Sequence, residues 1–100
     1  MDIYFDLNED LKFEWDSEKA KINKQKHKLS FETAAHAFLD IFSYDDFDEI
    51  HSNSEDRIKL VGKVGEIIAV IYTERGERNR IISARHADKD ERRQYYEQFY

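Results

Sequence analysis

The chain alternates between short apolar patterns and strongly polar stretches. Leu11, Phe13 and Trp15 alternate with Lys12 and Glu14, which predicts a short strand with one buried side. Asp16 follows, and its carboxylate suits the exposed amides of a new helix. That helix, Ser17 to Lys28, has few apolar positions beyond Ala20 and Ile22, so it is expected to lie largely exposed over a narrow buried stripe. Ser30 is a second candidate N-cap. Phe31, Ala34, Ala35 and Phe38 then recur at helical spacing, which predicts a short helix packed into the core. Asp40 to Tyr44 fits an edge strand. Asp45 to Asp56 is acidic and rich in Ser and Asn, and it reads as a mobile loop.

The second half is strand-like. From Arg57 to Val64, residues Ile58, Leu60 and Gly62 alternate with Arg57, Lys59, Val61 and Lys63. Gly65-Glu66 marks a turn. Ile67 to Thr73 is apolar on both faces, as a central strand would be. Glu74 to Glu77 is a second turn, and Arg78 to Ala84 a third strand with Ile81 and Ile82 inside it. Two short turns would join these strands into an antiparallel meander. The last helix starts at Asp88, with Glu91 three positions on as a capping-box pair, and carries Tyr95, Tyr96 and Phe99. The fold class expected is α+β, an antiparallel β-meander with N-terminal helices and a C-terminal helix packed on the sheet.

Composition narrows this picture. One hundred residues make a single domain, 1–100. There is no cysteine, hence no disulfide framework, thiolate metal site or thiol nucleophile. The histidines and acids show no metal-ligand spacing, and no cofactor is expected. The longest apolar run, Ile67 to Tyr72, is far below the roughly 20 residues that span a bilayer. The N-terminus lacks a basic flank followed by an apolar run, so no signal peptide is expected and the protein reads as cytoplasmic, away from membranes.

The formal net charge of −6 conceals segregation. Residues 1–18 carry seven acids and one lysine, and residues 19–28 carry five lysines and no acid. Residues 40–56 carry seven acids and no Lys or Arg, while residues 57–93 carry ten Lys or Arg against six acids. A fold that gathers the basic segments would hold a polyanion on one face and could meet a basic partner with its acidic segments. The arginine-bearing strand around Ile81 and Ile82 points to phosphate. Arg80 and Arg85 are five positions apart, so on a regular strand they face opposite ways and would not line one groove unless the strand bends or ends between them. Of the aromatics, Trp15, Tyr72, Tyr95 and Tyr96 could stack on bases, although Trp15 suits the core. His36 lies inside an Ala-rich helix and suits packing, while His51 and His86 are unranked candidate acids.

Several segments, in order, resemble the BrnT toxins of type II toxin–antitoxin pairs. They are Phe13-Glu14-Trp15-Asp16, Asn23, Lys26-His27, Ser30-Phe31-Glu32, Glu55-Asp56-Arg57, Tyr72-Thr73-Glu74-Arg75-Gly76, Arg80-Ile81-Ile82-Ser83-Ala84-Arg85 and Glu91-Arg92-Arg93 with Tyr95. The chain departs from the family pattern at Lys28, where Gly is usual, and in having no Pro. Residues 1–12 form an N-terminal extension. The resemblance implies a RelE-like fold and metal-independent endoribonuclease activity that inhibits translation and growth. It also implies a BrnA-type antitoxin through which operator DNA would be bound, and RNA, free or on the ribosome, as substrate. The candidate catalytic residues are His27, Lys26, Arg57, Arg80 and Arg85, with Arg78, Arg92 and Arg93 as RNA contacts. His27 could instead cap its helix, and Arg57 could pair with Glu55 or Asp56. The other functional class open to this chain is a non-catalytic binding module that partners a DNA-binding antitoxin. Direct DNA binding is disfavoured by the net charge and the lack of a recognition helix.

Overall fold

The computed structural model describes residues 1–47 and 56–100. Six strands form one mixed sheet: β1 (Asp2–Asp6), β2 (Lys12–Asp16), β3 (Tyr44–Phe47), β4 (Ile58–Val64), β5 (Glu66–Arg75) and β6 (Arg78–His86). Their spatial order is β1-β2-β6-β5-β4-β3. Helix α1 (Ser17–His27) leads into α2 (Phe31–His36) and a 3-10 turn, Ala37–Leu39, while α3 (Lys89–Glu97) closes the chain.

β4, β5 and β6 pair antiparallel in sequence order. Their second connection is a two-residue loop, Gly76-Glu77, with Arg75 opposite Arg78. Gly76 sits at φ +59°, the glycine-first pattern of a II′ hairpin turn. The sheet extends beyond this unit in both directions. On one side β2 pairs parallel with β6, Phe13 opposite Asn79 and Glu14 opposite Arg80, and β1 then pairs antiparallel with β2. Residues 1–12, expected to be an appended extension, thus supply an edge strand of the sheet. On the other side Tyr44–Phe47 pairs with β4. The expected edge strand therefore begins at Tyr44, and Asp45 to Phe47 belong to it rather than to a loop. Residues 48–55, with His51, lie outside the described residues.

One sheet face carries Phe13, Trp15, Leu60, Ile68, Val70, Tyr72, Ile81 and Ala84, packed beneath α1, α2 and the 3-10 turn. Edge-to-face ring pairs join Phe13 to Phe38 at 4.8 Å, Trp15 to Phe31 at 5.8 Å and Phe38 to Tyr72 at 4.9 Å. On the opposite face Val61, Ile67 and Ala69 form a smaller cluster with Ala87 and with Tyr95 of α3. Trp15, Tyr72 and Tyr95 are therefore core residues and not base-stacking platforms, whereas Tyr96 is exposed.

The helix caps form as their sequences suggest. Asp16 accepts from the Lys19 amide, Ser30 from Thr33, and Asp88 and Glu91 complete a reciprocal capping box. The buried stripe of α1 differs from expectation: Ile22 is exposed and Asn23 is buried. The pairing of β2 with β6 ends at Glu14, which leaves the rest of the outer edge of β6 without a strand partner. The Asn23 amide fills that edge, donating to the Ala84 carbonyl at 2.9 Å and accepting from the Ala84 N–H at 3.1 Å. A second donation, to Leu29 O at 3.0 Å, ties down the turn after α1. Lys28 in that turn is left-handed at φ +61°, its N–H bonded to Lys24 O. His36, expected to pack inside α2, is exposed, with its Nδ1 2.7 Å from Glu32 O.

Candidate active site

The expected split between Arg80 and Arg85 does not occur. Ile71 pairs with Ser83, but Tyr72 pairs with Ile81, so Ile82 is an extra residue in β6. This bulge resets the alternation. Arg80 now lies opposite Thr73 and Arg85 opposite Ala69. Thr73 and Ala69 are four positions apart on β5, so both arginines rise from the same face, separated along β5 by about 13 Å at a strand rise of ~3.3 Å per residue. Arg78, opposite Arg75, shares that face. It is the face that α1 and α2 leave uncovered.

At one end of this face the arginines meet the N-terminal hairpin. Arg80 donates to Glu14 at 2.5 Å and to Asp2 at 3.0 Å. Its hydrogen bonds to these carboxylates, Asp2 first, outweigh burial and raise the guanidinium pKa further. Arg78 donates to Asp6 at 2.7 Å and to the Phe13 carbonyl at 2.8 Å, and its guanidinium stacks 5.0 Å above the Tyr4 ring.

At the other end Arg85 grips Glu91 with both prongs, at 2.7 and 2.9 Å. Lys59 reaches the same carboxylate from β4 at 2.8 Å, and the Asp88 amide donates to it at 2.9 Å. Burial alone would raise the Glu91 pKa. The Arg85, Lys59 and Asp88 hydrogen bonds outweigh burial and hold it at about 2. The Tyr44 hydroxyl donates to the Glu91 carbonyl, and burial followed by the Glu91 charge pushes it up to about 12, so it stays protonated. Sequence reasoning missed Lys59 as a site residue. Its only signal was its place on the polar side of the β4 alternation.

The remaining candidates are dispersed. Arg57 precedes β4 and continues the alternation of Lys59. Arg92 donates to Ala87 O at 2.6 Å, closing the turn before α3. Arg93 is exposed and flanked on its own helix by Asp90 and Glu97. Lys26 and His27 form the last turn of α1. Lys26 is exposed, while His27 is half-buried on the Asn23 stripe, beside the edge of β6. Among the described residues no hydrogen bond joins either of them to the arginine face. His86 ends β6 with Glu66 3.0 Å away, opposite Ile68 and so off that face. Among the described residues no group of three or more His, Cys, Asp or Glu could hold a metal ion.

A sequence profile described as the ribonuclease toxin BrnT of a type II toxin–antitoxin system matches residues 15–91. The chain belongs to the BrnT toxin family. The crystal structure of the ribonuclease toxin BrnT of Brucella abortus is similar to this BrnT-family fold, with a TM-score of 0.57 and 28% identity. The likeness covers 75% of this chain and 94% of that one. No curated protein matches this BrnT-family sequence. The BrnT match starts at Trp15, so β1 and its aspartates lie outside it. A toxin of this family acts as a ribonuclease and is paired with an antitoxin. Among the described residues no helix is long and apolar enough to cross a membrane.

Proposed function

We propose that this protein is a metal-independent endoribonuclease with a RelE-like sheet and helices, held in check in the cytoplasm by a BrnA-type antitoxin. Released, it would cut RNA, free or on the ribosome, and stop translation and growth. Operator DNA would be reached through the antitoxin. The observation that carries this reading is the bulge at Ile82, which gathers Arg78, Arg80 and Arg85 on one sheet face. RNA brings its own nucleophile. The 2′-oxygen attacks the adjacent phosphorus as a base takes its proton, cations hold the added negative charge, and the 5′-oxygen leaves with a proton from an acid. Fixed cationic donors aimed at the phosphate can supply about 10²–10³-fold of the acceleration. Arg85 and Arg80 are the proposed cationic donors, with Arg57 beside them and Arg92 and Arg93 as outer RNA contacts. His27 and Lys26, at the helix end beside β6, remain the proposed source of the acid or base.

The test is induction of the chain alone in bacteria, followed by cleavage of RNA by the purified protein in EDTA. Growth arrest and metal-independent cleavage are expected, both weakened in Arg85→Ala and His27→Ala. Normal growth with intact RNA would overturn the proposal. One observation favours a second reading, a non-catalytic partner of a DNA-binding antitoxin: Arg78, Arg80 and Arg85 are each bound to a carboxylate of the protein itself. Wild-type protein that represses with its antitoxin but cuts no RNA would establish that reading instead.

A further inference from the structure

The two ends of the arginine face differ in how their cations are paired. Arg78 and Arg80 are ion-paired to three carboxylates, Asp2, Asp6 and Glu14. Lys59 and Arg85 share one ion-paired carboxylate, Glu91. Asp46 is the cross-strand neighbour of Lys59 on β3, but it is exposed and forms no ion pair with it. An incoming phosphate at the Lys59 end therefore meets two cations that share a single carboxylate.

Lys59 is the better placed of the two to take a phosphate oxygen. Its side chain is only 24% exposed and its ammonium is fixed 2.8 Å from Glu91. An ammonium has three N–H donors. The two that Glu91 does not take find no acceptor among the described residues. Holding a lysine in one conformation before the ligand arrives removes much of the entropy that a surface lysine loses on binding. Ile71 and Ser83, level with Lys59 across β5 and β6 and both half-buried, form a floor with no charge of its own.

We propose that Lys59 and Arg85, aligned by Glu91, form a phosphate-binding site of the RNA face, with Lys59 donating directly to a phosphodiester oxygen. Glu91 acts here as a positioning residue, since its carboxylate is spent on the cations and the helix cap. This assignment rests on the ribonuclease reading only for naming RNA as the ligand.

The experiment compares wild type, Lys59→Met, Lys59→Arg and Lys63→Met. The last removes the same charge from the same strand face, four residues further along β4. Binding is measured with a 2′-O-methyl oligoribonucleotide, which lacks the nucleophile, across a salt series; cleavage is measured with the unmodified strand. Lys59→Met is expected to bind about tenfold more weakly and to lose about 0.7 from the slope of log affinity against log salt, one phosphate contact on a single strand. Lys59→Arg should restore binding to within a few-fold, and Lys63→Met should match wild type. Selective loss in Lys59→Met while wild type leaves the unmodified strand uncut would keep the site and overturn the ribonuclease reading. Lys59→Met behaving like Lys63→Met in the binding assay would overturn the site, whatever wild type cleaves.

Discussion

Glu91 is where folding and the proposed chemistry meet, and Glu91→Gln tests both. The carboxylate is 5% exposed and holds Arg85, Lys59 and the Asp88 amide. Its pKa falls from 4.5 to about 2 in the fold, and at ~1.4 kcal/mol per tenfold this is about 3 kcal/mol of preference for the ionised form. Glutamine keeps the volume and one acceptor for the helix cap. It leaves Arg85 and Lys59 side by side without a counter-charge, at side-chain exposures of 36% and 24%. The expected cost in urea unfolding at neutral pH is about 2–3 kcal/mol, below the ~3–5 kcal/mol of a fully buried broken pair because solvent reaches both cations. The pH dependence fixes the cause. A depressed folded-state pKa stabilises fully above the unfolded value, 4.5, and that stabilisation disappears as pH falls toward about 2. The wild-type advantage should therefore be constant above pH ~5 and shrink steadily below 4.5. Parallel stability curves for the two proteins between pH 5 and 3, or a neutral-pH difference under ~0.5 kcal/mol, would refute this account of Glu91.

Four further outcomes are expected. Asn23→Ala leaves both backbone groups of Ala84 without their partners, and thermal or urea unfolding should show a loss of about 2–4 kcal/mol. Lys28→Gly relieves a left-handed residue at φ +61° and should stabilise by up to ~1 kcal/mol, read as a higher urea midpoint at unchanged slope. Gly62→Ala would place a methyl 2.9 Å from Ala37 O and 3.2 Å from Ser43 Cβ, and should cost about 1–3 kcal/mol in the same assay. Asp2→Asn combined with Asp6→Asn removes two carboxylates from Arg80 and Arg78, and should tighten RNA binding several-fold at low salt; weaker binding would mean that the hairpin itself supports the RNA face.

What the chain determined by itself was local. Caps at Asp16, Ser30 and Asp88 need only a side chain and amides three residues away, so they were legible, as were the alternations of β2 and β4 and the apolar run of β5. The ordered BrnT-like segments were legible for the same reason, being strings of neighbours. What only the tertiary structure decided depends on partners far away in sequence. Whether Arg80 and Arg85 share a face turned on one unpaired residue, Ile82, and a bulge shows only in the register against β5. The parallel pairing of β2 with β6 joins residues more than sixty positions apart, and it leaves the edge that Asn23 fills. Glu91 read as half of a capping box, and only folding placed Arg85 and Lys59 on its free lone pairs. The alternating charge segments were visible from the start. Their sum misled because a buried carboxylate cancels the cations it touches, and contact, not composition, decides which cations remain available to a phosphate.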